Sequence, residues 1–214
     1  MIRSLKVLGL AVVAVLALTA VAAAGASASS FDTGAEHTKY TAEADGNQVF
    51  TTEAGTVTCT AVTGTATTKS ATQNVANIQT TKVEYTGCKT KTIFGEISVT
   101  VDFVTNGCVY NFTATGGTVH LTCTKEEGII INGPGCKITV PSPQSFTTVT
   151  YDNIGSGSTA DVTVTANVTN IKSTSTGAFC SKQGTFTNGK YVGNVTIKGF
   201  NESGGAQVGI KWTA

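Results

Sequence analysis

The sequence predicts an all-β fold: an antiparallel sandwich or barrel-like domain held by about three disulfides and preceded by a cleaved signal peptide helix. Three observations carry this expectation. Apolar and polar residues alternate with a period of two along most of the chain. Clusters of Gly, Asn and Ser punctuate the alternating runs, as turns do. All 6 cysteines lie beyond an apolar leader, an even set in a chain addressed for export.

The leader comes first. Arg3 and Lys6 make a short basic region, Val7 to Val21 is an apolar stretch, and Ala26-Ser27-Ala28 gives an A-x-A cleavage pattern. The run is short and fades into small residues, which fits a secretory signal better than a membrane anchor. Residues 1–28 are therefore read as signal peptide and 29–214 as a single disulfide-stapled all-β domain. The ending QVGIKWTA holds no second apolar run, so the expected product is secreted, with no membrane contact after signal removal. Loss of the leader moves the formal charge from +1 to −1, and only 13% of residues are charged. That balance argues against binding nucleic acid or anionic lipid through a basic field.

The strands follow in order. TVTCTA sets Val57, Cys59 and Ala61 on one face. EISVTVDFV does the same for Ile97, Val99, Val101 and Phe103. TVHLTCT aligns Val119, Leu121 and Cys123, ADVTVTANV aligns Val162, Val164, Ala166 and Val168, and QVGIKW aligns Val208, Ile210 and Trp212. Threonines fill the opposite faces, where a β-branched side chain fits the pleat and its hydroxyl meets water. One apolar and one polar face is the pattern of packed antiparallel sheets. ADGNQ, Asn106-Gly107, NGPG, NIGSGS and TNGK read as turns, and their spacing predicts about ten to fourteen strands. NIGSGS reads either as a boundary or as a long hairpin loop, and one continuous domain is favoured.

Cys59, Cys88, Cys108, Cys123, Cys136 and Cys180 are the disulfide candidates. None is spaced C-x-x-C, and His37 and His120 are far apart in sequence, so no metal site and no cofactor are expected. Fifteen pairings are possible in principle for six cysteines. Local proximity suggests Cys123–Cys136, which would clamp the KEEG turn and a buried strand at Ile129 to Ile131, with Cys88–Cys108 and Cys59–Cys180 as the remaining pairs.

The ordered motifs FTTEAGTVTC, VEYTGC, NGCVYNF, LTC followed by CKITVPSPQ, and YVGNVTIKG resemble a group of exported six-cysteine, Thr/Gly-rich β proteins of soil actinobacteria, a group without an assigned activity. The resemblance spans nearly the whole chain after the leader. It implies export and a shared β scaffold, and it supplies no catalytic residues.

No catalytic set emerges from the residues. His37 and His120 are the only histidines, and no G-x-S-x-G elbow occurs, so nothing completes a serine hydrolase triad. Glu96, Asp102, Glu126 and Glu127 are the carboxylates to examine for a secreted hydrolase, the alternative reading. Asp45, Asp102, Asp152 and Asp161 lack a calcium-loop spacing. Tyr85, Tyr110, Tyr151, Tyr191 and Trp212 are candidates for a sugar-stacking surface, although Tyr110 and Phe112 share parity with Cys108 and so point to the core. The sequons at Asn111, Asn167, Asn194 and Asn201 are what a Thr-rich chain produces without glycans. The expectation is a secreted, non-enzymatic β domain, structural or binding, with a glycan, cell-envelope protein or other protein surface as partner. A third reading, ice or mineral binding by rows such as TVTVT, needs a flat sheet, and strands twist.

Overall fold

The computed structural model describes residues 29–68, 73–92, 95–103, 105–125, 127–203 and 205–214. The expected signal peptide and Glu126 lie outside them. Among the described residues helix is limited to one turn of 3-10 geometry at Gly157–Thr159, and none is long and apolar enough to cross a membrane.

After β1 (Ser30–Thr33) the chain runs through eight bent staves, alternately in opposite directions. The first is β2 (Thr38–Ala44) with β3 (Gln48–Thr52), and the second is β4 (Gly55–Cys59) with β5 (Ala61–Thr67). Beyond the short β6 (Asn74–Val75), the third joins β7 (Asn77–Thr86) to β8 (Lys89–Thr92). The fourth strings together β9 (Gly95–Ser98), β10 (Thr100–Asp102) and β11 (Cys108–Thr113). The fifth is β12 (Val119–Cys123) with β13 (Ile129–Gly133); the sixth is β14 (Cys136–Val140), β15 (Gln144–Phe146) and β16 (Val149–Ile154). Two long strands, β17 (Asp161–Thr176) and β18 (Gly184–Asn201), complete the set, and β19 (Ile210–Thr213) follows.

Each stave pairs antiparallel with the next, and β18 returns to pair with both halves of the first, β2 from Val195↔Ala44 to Asn201↔Thr38 and β3 around Tyr191↔Phe50. The sixth meets the seventh through β14 and β16. Between those segments the side chain of Gln144 stands in for a strand: Oε1 accepts from the Lys172 N–H at 2.9 Å and Nε2 donates to the Lys172 carbonyl at 3.0 Å. The ring is thereby closed, an eight-stranded barrel with no free edge along its wall among the described residues.

Its two ends are covered. At one, β1 lies between β19 and β6, with Phe31 fully buried and packed edge-on against Tyr151 at 5.2 Å. Trp212 secures this cap by donating from Nε1 to the Ala114 carbonyl at 3.1 Å. At the other, residues 177–183 cross the opening. Ser181 N–H donates to Ala54 O at 3.1 Å, Phe179 N–H donates to Gly135 O at 3.0 Å, and Lys182 forms an ion pair with Glu53.

The alternating faces lie as read from the sequence except at Ala61: parity shifts between β4 and β5, so Val62 is buried inside and Ala61, expected beside Val57 and Cys59, is not. Val57, Cys59, Val119, Leu121, Val162, Val164 and Val168 are buried inside, while threonines dress the outside, where Thr65 and Thr81 hydrogen-bond across strands at 3.0 Å. Ile129 to Ile131 is the buried strand expected, and NIGSGS ends β16 with Asn153-Ile154 and then opens the connection to its paired neighbour β17.

Two expectations are corrected. The described residues contain 19 strand segments, more than the turn spacing predicted, because bends cut long staves into short pieces. The disulfides are Cys59–Cys88, Cys108–Cys123 and Cys136–Cys180, not the pairs inferred from local proximity. In a meander, consecutive strands are neighbours. Cys108 therefore faces Cys123 directly across β11 and β12, and Cys59 meets Cys88 one step beyond the Thr58↔Lys89 pair. Cys136 lies at the far end of the barrel from that waist, where it ties the crossing loop through Cys180.

Candidate functional site

An eight-stranded barrel is just wide enough for side chains to fill it or for one small ligand to lodge inside. Here the inward positions are unequal. On the four adjoining staves seven, eight, one and two they include Ala166, Gly193, Ala42, Gly64 and Ala66, and these small residues oppose one another, Ala166↔Gly193 and Ala42↔Gly64. The facing wall carries Tyr110, Phe112, Ile129, Ile131 and Phe146. Between them is a cavity of about 160 Å³. No charged side chain among the described residues lines it.

A polar cluster is set into this apolar wall. Gln48, only 2% exposed, donates from Nε2 to the carbonyls of Gly46 and Asn194, both at 3.0 Å. Its Oε1 accepts from the Tyr191 hydroxyl at 2.6 Å. Gly193 makes room for this amide: a Cβ there would lie 1.9 Å from Gln48 Oε1. The hydroxyls of Tyr85 and Tyr110 are 3.0 Å apart, and Tyr110 is further fixed by Phe103, 4.8 Å between ring centres, and by its N–H donating to Thr80 Oγ1 at 2.9 Å. Burial pushes the phenols of Tyr85, Tyr110 and Tyr191 well up, and the proximity of Tyr85 raises Tyr191 further, so all three keep their protons.

The other residues singled out from the sequence do not converge. Tyr85, Tyr110 and Tyr191 share the interior, whereas Tyr151 and Trp212, 5.7 Å apart, belong to the cap, so these rings form no common outer stacking surface. His37 is exposed in the turn before β2. His120 Nδ1 lies 2.8 Å from Ser145 Oγ on the outer face, with Asn111 opposite it on β11. Glu96 is paired with Lys89 at 3.7 Å, Glu127 with Lys137 at 3.3 Å, and Asp102 accepts from Asn132 Nδ2 at 2.9 Å. Asp45 accepts from Thr196 Oγ1 at 2.6 Å and Asp161 from Gln207 Nε2 at 2.9 Å, while Asp152 lies exposed on β16. Among the described residues no group of three or more His, Cys, Asp or Glu is arranged to hold a metal ion. All six cysteine candidates are spent on disulfides.

Sequence reasoning missed Gln48, Gly193 and the small-residue wall. The signal for Gln48 was its parity with buried Phe50 two residues on, which the turn-like ADGNQ obscured. Compared with protein-family models, curated proteins and solved structures, the chain matches none.

Proposed function

We propose that this protein is an exported, non-catalytic binding protein whose barrel takes up one small apolar molecule. The observation that carries the reading is the cavity of about 160 Å³ walled by aliphatic and aromatic side chains and facing small residues on four consecutive staves. Apolar voids of roughly 150 Å³ stay dry and accept benzene or xenon, because water finds no partners there. Binding sites are typically apolar pockets with a few placed polar groups, and the tyrosine–glutamine cluster fits that description. Three disulfides and the leader-like first residues support an oxidising, extracellular setting.

Calorimetric titration with benzene tests the reading. The wild-type protein is expected to bind one equivalent, and Ala166→Leu, which extends a side chain into the void, is expected to abolish binding while the barrel still folds. Equal binding by both proteins would place the benzene elsewhere and contradict the proposal.

A further inference from the structure

The wall of the cavity also specifies what its occupant carries, an inference that rests on the binding role just proposed. The amide of Gln48 has one possible orientation, since both its N–H groups are spent on the carbonyls of Gly46 and Asn194. Its Oε1 can only accept, so Tyr191 must donate to it, and that phenolic proton is committed. Within the Tyr85–Tyr110 pair one proton is shared and one is left over. If the spare proton turns to the oxygen of Tyr191, the cluster ends in an oxygen with free lone pairs at Tyr110. If it does not, the cluster offers both a proton and lone pairs. A hydroxyl on the ligand satisfies either arrangement, because it can donate and accept.

We infer that the barrel selects a small neutral molecule with one hydroxyl, of the size of a phenol or a short alcohol, and seats that hydroxyl against Tyr85 and Tyr110. A carboxylate is excluded because no cation among the cavity-lining residues offsets the loss of its hydration, and where the cluster ends in bare lone pairs it also brings no proton to donate. A plain hydrocarbon fills the space but leaves the phenolic cluster unanswered. Preference for the more water-loving compound is the diagnostic feature, since a purely apolar void would favour benzene over phenol.

The experiment is a calorimetric comparison of benzene, phenol and benzoate near neutral pH on the disulfide-bonded wild-type protein and on Tyr110→Phe, with thermal unfolding as a check on folding. Phenol is expected to bind about tenfold more tightly than benzene, as one well-placed hydrogen bond allows, with benzoate showing no measurable heat. Tyr110→Phe, which keeps the ring, is expected to erase most of phenol's advantage, bringing the phenol and benzene affinities to within about twofold of each other. Phenol binding no better than benzene, benzoate matching phenol, or a Tyr110→Phe protein with the full preference would each overturn the hydroxyl inference. Failure of both benzene and phenol to bind the wild-type protein would instead overturn the binding role on which it rests.

Discussion

Gln48 and Gly193 show how much a single pair of residues decides inside this barrel. The glycine is required by close approach, with the amide oxygen standing 1.9 Å from where a Cβ would be. Gly193→Ala must therefore expel the Gln48 amide from its partners. Buried polar groups left without hydrogen bonds cost about 1–3 kcal/mol each, so a loss of about 2 kcal/mol or more is expected from urea unfolding. Wild-type stability in that variant would mean the amide is not seated against β18. Neither residue stood out in the sequence, because an amide beside a turn and a glycine inside a strand are ordinary features of a surface. Only the register of β18 against β2 and β3 reveals that they meet. The tyrosines were half legible: parity placed Tyr110 inside, but nothing in one strand announces that its hydroxyl faces Tyr85 from another.

Among the elements, alternation identified the faces and left the lengths unread. TVTCT and ADVTVTANV could be assigned an inner face from composition alone, and the buried residues agree. What escaped was that consecutive short runs are halves of one bent stave. The cysteines illustrate the same gap. Gly87-Cys88 faces Cys59-Thr60, and Gly107-Cys108 faces Cys123-Thr124, the same local arrangement twice. In both, a Cβ on the glycine would strike the threonine Oγ1 at 2.1 Å, but a third Gly-Cys, at Gly135-Cys136, pairs with Cys180-Ser181, so the dipeptides alone did not specify the partners. Chain closeness pointed instead to Cys123 and Cys136, which the length of β13 holds apart. The seam at Gln144 offers a test at this scale. Gln144→Ala removes both bonds to Lys172 and is expected to cost about 1–3 kcal/mol and to speed amide exchange at Lys172 selectively. Unchanged exchange there would show that the barrel closes without this side chain.

For the whole molecule, closure at both ends leaves all five tyrosines with raised pKa values, burial being the first cause in every case. The folded state therefore holds phenolic protons that the unfolded chain releases above the ordinary tyrosine value of 10.0. The sign follows: this contribution is fully present below that pH and is lost as pH rises toward the folded values. Each retained proton steepens the loss by about 1.4 kcal/mol per pH unit. Alkaline titration is expected to give tyrosinate absorbance in one step that coincides with loss of the β-sheet circular dichroism. Tyrosines ionising gradually while the sheet signal persists would count against a sealed interior. The same closure argues against the threonine rows as a flat recognition surface, since they lie on a curved wall.

Whether the barrel encloses a dry space for a small apolar guest is tested most directly by a crystal structure determined under xenon pressure. Xenon density is expected inside the barrel, between the Ala166–Gly193 pair and the Ala42–Gly64 pair. Ordered water filling that space, or side chains closing it with xenon bound only at the surface, would contradict that expectation.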